Sequence, residues 1–160
     1  MTGAGEGPRI GHVHLKVADI ARSEAFYCDV LGFKVRQRYG GEALFLSSGD
    51  YHHHIGLNTW ESKGAAPAPR HSAGLYHFAV LYPDRKALAS VVKRVIDHGV
   101  ALDGASDHGV SEAVYLHDPD GNGIELYRDR DRSEWPIAPD GSVAMGAAPL
   151  DLNGLLAEAD

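Results

Sequence analysis

Apolar and polar positions along the chain predict one pattern of elements that occurs twice. In the first half, apolar and β-branched content bounded by glycine-containing turns predicts four strands, over residues 10–17, 33–39, 43–48 and 51–58. After the first strand, apolar residues recur at helical spacing over residues 20–31, with Asp19 able to cap the start and Gly32 to end the helix. The first module, residues 10–59, is therefore predicted to be βαβββ.

The same order of elements begins again in the second half. Asp84 is predicted to cap a helix that runs through Leu88 and Ile96 and ends at His98-Gly99, and strands are predicted over residues 75–82, 100–106, 112–117 and 124–128. With His12 and His77 as equivalent points, the second module, residues 74–128, repeats the first.

These two modules predict an α+β fold. Residues 60–73 are polar and contain Pro67 and Pro69, so they are predicted to link the modules. Two four-stranded sheets are expected to pack about a pseudo-twofold axis, and their concave side is a natural place for a ligand.

The segments outside the modules are expected to be less regular. Residues 1–9 are glycine-rich and are predicted to be a flexible N-terminus. Residues 129–160 contain several prolines and end in a leucine-rich stretch, which predicts an extended C-terminal arm with a short helix. The arm is expected either to cover the core or a neighbouring subunit, or to fray.

Composition narrows the class of partner. The formal net charge is -7 and the 15 basic residues are scattered, which argues against nucleic-acid binding and favours a small-molecule ligand. No apolar run reaches the length of a membrane span, and Cys28 is the single cysteine, so a cytoplasmic protein is expected. Ten histidines in 160 residues are the compositional feature that requires explanation.

Three residues on separate strands form a candidate metal site. A lone histidine on a strand is more often a hydrogen-bonded core residue than a ligand, but His12 and His77 stand at equivalent points of the two modules. Glu125 lies between Ile124 and Leu126 on the last strand, and because a buried carboxylate without a partner is costly, it either faces solvent or has a cation. Two histidines and one carboxylate are the ligand set of the facial triad that holds Fe(II).

Two stretches of the sequence carry a resemblance to a known family. Residues 26–33, at the end of the first helix, and residues 117–127, around the last turn and strand, resemble the vicinal oxygen chelate superfamily, and the likeness covers most of residues 10–128. The resemblance implies a single domain of two βαβββ modules, with a concave mixed sheet around a metal held by His12, His77 and Glu125. The superfamily includes glyoxalases, extradiol dioxygenases, epimerases and antibiotic-binding proteins.

The fourth strand distinguishes between these branches. Glyoxalase I enzymes generally have a ligand there, commonly a glutamate, whereas residues 51–58 contain no carboxylate. Extradiol dioxygenases carry a catalytic histidine on that strand, and the resemblance assigns that role to His53, with His54 as the rival. Strand alternation places His53 and His54 on opposite faces and does not decide which one lines the pocket.

Further positions match the extradiol branch. Tyr115 stands where those enzymes place a tyrosine that contacts substrate, and His108 resembles their second-sphere histidine, although the interval from His108 to Tyr115 is shorter here. By themselves, Tyr115 reads as a core aromatic and His108 as a turn residue. His14 shares the face of His12 and either lines the pocket or is a hydrogen-bonded strand residue.

The resemblance therefore predicts an Fe(II)-dependent extradiol dioxygenase that cleaves a catechol-like aromatic diol with O2. His53 would act as acid and base, while Tyr115 and His108 would donate hydrogen bonds to the diol oxygens. Mn(II), Ni(II) and Zn(II) are the alternative metals. The alternative functions are a glyoxalase- or epimerase-type enzyme of the same fold and a non-catalytic small-molecule-binding protein. A homodimer is expected, with no nucleic-acid or membrane partner.

Overall fold

A computed structural model describes residues 7–160, so residues 1–6 of the predicted flexible N-terminus lie outside the described part. The first module consists of β1 (Val13–Lys16), a helix, and three further strands, β2 (Lys34–Tyr39), β3 (Ala43–Ser47) and β4 (Ile55–Asn58). Its helix begins as α1 (Ile20–Glu24) and continues as a π-helix (Ala25–Val30). The Asp19 side chain accepts from the backbone N–H of Arg22 and caps α1, as predicted.

The second module repeats this order. It consists of β5 (Phe78–Leu81), α2 (Arg85–Asp97), β6 (Leu102–Asp107), β7 (Ser111–His117) and β8 (Gly123–Asp129). The C-terminal arm follows with a 3-10 turn (Arg132–Glu134), the short strand β9 (Ala148–Pro149) and α3 (Leu152–Leu156).

The strands form two mixed sheets, one for each module. Their orders are β1-β4-β3-β2 and β5-β8-β7-β6-β9, and in each module the first strand pairs in parallel with the last. Both sheets have a register shift at the equivalent place, between Val35 and Gln37 in the first and between Leu102 and Gly104 in the second. The repeat in the sequence is thus a repeat in the topology, and the fold is α+β as predicted.

One continuous apolar core joins the modules. It includes Leu57 from the first sheet, Leu126 from the second, Leu88 from α2 and Leu155 from α3, all fully buried. Because α2 and both sheets contribute to the same core, the two modules form one folded unit.

The turn between β7 and β8 ties the second module to the first. Asp118 accepts a hydrogen bond from the Tyr27 hydroxyl at 2.7 Å, and Asp120 accepts from the backbone N–H of Ala18 at 2.9 Å and from Arg22 at 2.8 Å. Burial, followed by the charge of Asp118, raises the pKa of Tyr27 well above its ordinary value, so the phenol stays protonated and donates. These contacts fix the position of the strand that carries Glu125.

Replacing Tyr27 with Phe is expected to lower the free energy of unfolding by about 1.5–3 kcal/mol, because the variant loses a buried hydrogen bond to a carboxylate. Urea denaturation of the two proteins measures the difference. Asp118 retains its bond from the Asn122 amide at 2.8 Å, so the fold itself is expected to persist. A difference below about 0.5 kcal/mol would show that the junction contributes little to stability.

Some predicted elements differ in extent. The strand predicted over residues 51–58 begins only at Ile55, and the three preceding histidines lie in a loop. The loop is held at its end by backbone hydrogen bonds from His54 N–H to Leu46 and from Val13 N–H to His54, so the alternation assumed for this segment does not apply. Within residues 7–160, no helix is long and apolar enough to cross a membrane.

Candidate active site

The second sheet presents a row of side chains on the face that α2 does not cover. Glu125 pairs in register with Ala79 on one side and with Tyr115 on the other, and Tyr115 in turn pairs with Gly104. Its neighbour Ile124 is buried on the opposite face. The small residues at both ends of the row leave Glu125 and Tyr115 accessible between them.

His77 and Glu125 form the central pair of this face. His77 immediately precedes β5, and its Nε2 lies 2.9 Å from Glu125 Oε2. Their side chains are 30% and 14% exposed, so the pair is partly desolvated but reachable. Gly123 permits the approach, since a Cβ there would lie 3.1 Å from His77 Cβ and would also collide with the Tyr76 carbonyl.

Tyr115 extends the pair into a row of polar side chains. Its hydroxyl lies 3.3 Å from Glu125 Oε1 and 2.6 Å from His108 Nε2, while His108 Nδ1 lies 2.6 Å from the Gly146 carbonyl oxygen. Burial, reinforced by Glu125, raises the pKa of Tyr115 to about 12. The phenol is therefore protonated at neutral pH and can act as a hydrogen-bond donor.

The equivalent row of the first sheet has different chemistry. His14, Gly56 and Phe45 pair in register, in the places that Ala79, Glu125 and Tyr115 hold in the second sheet. A Cβ at Gly56 would lie 2.8 Å from His14 Nδ1, so the imidazole of His14 occupies the space over the glycine.

His14 is held within the first sheet. Its Nε2 lies 2.9 Å from the Asn58 side-chain nitrogen, and its ring packs edge-on against Phe45. Burial, with a smaller contribution from His12, lowers the pKa of His14. Only the second module therefore has a carboxylate in this row.

His12 and His53 lie together beside the first sheet. Their ring centroids are 4.4 Å apart, and His53 packs edge-on against Phe45 at 5.2 Å. His53 Nδ1 also lies 2.7 Å from His52 Nδ1. Burial and then the neighbouring His12 lower the pKa of His53, so its imidazole is neutral at neutral pH.

His54 has a separate environment. Its Nδ1 accepts from the Ser48 backbone N–H at 3.2 Å and lies 3.2 Å from the Ser47 hydroxyl, and its ring packs near Tyr51. The structure thus separates the two candidates for the acid/base role: His53 lies beside His12, and His54 does not.

The predicted ligands fall into two groups. His77 and Glu125 offer an imidazole nitrogen and a carboxylate oxygen that converge, as two ligands of a facial triad should. Across residues 7–160, however, no three His, Cys, Asp or Glu side chains come together in a way that could hold a metal ion. Among residues 7–160 of one chain, His77 and Glu125 are thus the two predicted ligands that converge.

The docking of the modules explains why His12 is apart from this pair. Ala18, after the end of β1, donates its N–H to Asp120 in the turn between β7 and β8. That turn is followed by Gly123, and His77 packs against Gly123. His12 precedes β1, so an extended strand of about 20 Å separates it from that turn.

Two residues that contact the candidate site residues were not identified from the sequence. Phe45 could have been found, because it stands at the repeat position of Tyr115. Gly146 contributes through its backbone from a distant part of the chain, and no side-chain pattern signals such a contact.

Comparisons with known proteins agree with this architecture. A family model described as the Glyoxalase/Bleomycin resistance protein/Dioxygenase superfamily matches residues 9–126. A solved glyoxalase/dioxygenase from Nostoc punctiforme superposes with a TM-score of 0.64 at 20% identity, covering 82% of this chain and 97% of the other. That structural likeness supports the fold.

Similar sequences include named dioxygenases. The catechol-2,3-dioxygenase of Bacillus subtilis is 44% identical over 160 residues, which cover 99% of this chain and 55% of that protein. The biphenyl-2,3-diol 1,2-dioxygenase 3 of Rhodococcus globerulus is 31% identical, covering 76% of this chain and 64% of that protein. The chain thus spans between half and two thirds of the length of these relatives.

Proposed function

The chain belongs to the Glyoxalase/Bleomycin resistance protein/Dioxygenase superfamily, and from that premise we propose that it is an extradiol dioxygenase that cleaves a catechol-like diol. The observation that carries the proposal is the His77–Glu125 pair, with Tyr115 beside it and hydrogen-bonded to His108. The similarity to relatives named as dioxygenases of aromatic diols supports the same reaction class.

We propose Fe(II) as the metal, with His77 and Glu125 as two of its ligands. When bound, Fe(II) supplies a Lewis acid that takes both oxygens of a diol and makes O2 reactive toward it. Mn(II), Ni(II) and Zn(II) remain alternatives, because imidazole and carboxylate ligands accept each of them. A reducing cytoplasm is the proposed location, because Fe(II) and the thiol of Cys28 both persist there.

The third ligand is proposed to be His12 of a second copy of the chain. β1 and β5 are edge strands of their sheets, and His12 and His77 immediately precede them. Each of these histidines has an exposed apolar side chain close to it in sequence, since Ile10 is 86% and Tyr76 is 90% exposed. Each strand edge therefore offers a surface for association. In a twofold dimer, β1 of each copy would face β5 of the other, forming two equivalent sites.

The other side chains have roles that follow from their surroundings. His53, neutral at neutral pH, can accept a proton from a diol hydroxyl and later return it. Tyr115, a protonated phenol beside the pair, can form a hydrogen bond with a diol hydroxyl through its oxygen and so orient the ring. Phe45, which packs against His53, offers an aromatic edge for the substrate ring.

The test is anaerobic loading with Fe(II) followed by an oxygen-electrode assay across a panel of catechols. We expect O2 uptake with a yellow ring-opened product, and a loss of at least about 100-fold in the His77→Ala variant. His54→Ala serves as the matched control and is expected to retain activity, because His54 contacts Ser47 and Ser48 instead of His12.

The same preparation separates the alternative functions. Turnover of methylglyoxal–glutathione hemithioacetal without oxygen, together with no catechol turnover by iron-loaded protein, would establish a glyoxalase-type enzyme instead. Tight binding of an aromatic compound by metal-free protein, with no turnover of either substrate, would indicate a binding protein.

A further inference from the structure

The C-terminal arm passes over the turn between β6 and β7, where His108 lies. After Pro136, the chain forms a small hairpin closed by pairing of Ile137 with Val143, and the Ala144 N–H donates to the Pro136 carbonyl. β9 then pairs with β6 along its free edge. The arm is therefore fixed on both sides of Gly146.

Gly146 and His108 contact each other at two points. The Gly146 N–H donates to the His108 carbonyl at 3.1 Å, and the Gly146 carbonyl oxygen lies 2.6 Å from His108 Nδ1. A carbonyl oxygen only accepts hydrogen bonds, so Nδ1 must carry the hydrogen. In a neutral imidazole, Nε2 is then the acceptor, and its partner at 2.6 Å is the Tyr115 hydroxyl.

We propose that the backbone of Gly146 is a positioning element for the site, because it makes His108 Nε2 accept a hydrogen bond from the Tyr115 hydroxyl. The Tyr115 hydroxyl has one hydrogen and two acceptors in reach, His108 Nε2 at 2.6 Å and Glu125 Oε1 at 3.3 Å. Because Nε2 carries no hydrogen in this tautomer, the hydroxyl hydrogen of Tyr115 points to His108. With the opposite tautomer, His108 would donate to Tyr115 and the hydrogen would turn toward Glu125.

The tautomer of His108 determines which groups are available for the proposed reaction. The inference rests on that proposed reaction. A Glu125 carboxylate that does not accept from Tyr115 keeps its oxygens for a metal ion. The Tyr115 hydroxyl is likewise held in one orientation instead of alternating between two. The arm would thus act through His108 and Tyr115 without itself touching substrate.

The first test measures the His108 tautomer directly, by long-range nitrogen–proton NMR on protein with labelled histidines. The His108→Asn variant assigns the signal by its disappearance. We expect hydrogen on Nδ1 and none on Nε2. Hydrogen on Nε2 in the unaltered protein would overturn the proposal, whatever the enzymatic activity turns out to be.

The second test compares two substitutions at Gly146. Gly146→Ala keeps the N–H and carbonyl, and its Cβ meets nothing within 4 Å, so the His108 tautomer is expected to be unchanged. Gly146→Pro loses the N–H bond that holds the Gly146 carbonyl against His108 Nδ1, so the carbonyl is expected to move away, shift the tautomer mixture and lower kcat about tenfold. Identical His108 spectra for the two variants would contradict the proposal.

Catalytic activity is a separate readout in this design. If the unaltered protein shows the expected tautomer and no catechol turnover, the proposed reaction fails while the positioning contact stands. If turnover is present and both variants retain full kcat, the reaction stands and the positioning role fails. Equal melting temperatures for the variants would confirm that the comparison is made between folded proteins.

Discussion

A mixed dimer of the His12→Ala and Glu125→Ala variants is expected to bind about one metal ion per dimer, although each variant alone binds none tightly. In the mixed dimer, the Glu125→Ala copy still provides His12, and the His12→Ala copy still provides His77 and Glu125. One site is then complete and the other lacks two ligands. The expectation follows from the separation of His12 from the His77–Glu125 pair within one chain.

The experiment uses co-expression of the two variants with different affinity tags and two successive purifications, followed by anaerobic metal analysis and the oxygen assay. The matched control combines His77→Ala with Glu125→Ala, which damage the same half of the site in both copies. That pair is expected to bind no metal in any combination. Metal in the control, or none in the first mixed dimer, would rule out a site shared between copies, and a monomer in solution would do so as well.

Replacing Glu112 with Ala is expected to lower the free energy of unfolding by about 3–5 kcal/mol. Glu112 is 3% exposed and accepts from Arg85 Nε at 3.1 Å and from Arg128 Nε at 2.8 Å. Arg85 also pairs with Glu158 next to α3, so the carboxylate joins α2, the second sheet and the C-terminal segment. Removing the Glu112 carboxylate leaves the guanidinium groups of Arg85 and Arg128 close to each other in a partly desolvated environment.

Urea denaturation measures this effect, and Lys93→Ala provides the control. Lys93 pairs with Asp97 one helical turn away, both half exposed, and the loss of such a pair should cost no more than about 0.5 kcal/mol. If Glu112→Ala cost as little as Lys93→Ala, Glu112 would be a solvated charge and not a structural centre. The Glu112→Gln variant is expected to fall between the two, because an amide oxygen can still accept from one arginine.

Helices and the module repeat were predictable because their signals are periodic. In α2, Leu88, Val91, Val92 and Val95 form the apolar stripe that the sequence displays, and all four are buried in the core. His12 and His77 occupy equivalent positions in the two modules, as the repeat indicated, although they were predicted within strands and lie just before β1 and β5. Each of these features depends on residues close together in sequence.

Other features were beyond sequence reasoning because they depend on contacts between distant segments. The loop before β4 contains Tyr51 and histidines, which are compatible with a strand, yet its course is set by backbone bonds to Leu46 and Val13. The position of His12 relative to Glu125 is decided by Asp118 and Asp120, whose only sequence signal is a turn. The hydrophobic period of a sequence and the secondary-structure propensities of its residues do not indicate how two modules dock.

The parallel pairing of the first and last strand in each module should govern how the protein folds. β1 can join its sheet only after β4 exists, and the same holds for β5 and β8, so neither module can complete its sheet from its early residues alone. Such long-range pairing closes large loops and is slow compared with hairpin formation. During synthesis, the strands beside His12 and His77 are therefore expected to remain unpaired longest, which makes them the segments most prone to aggregation.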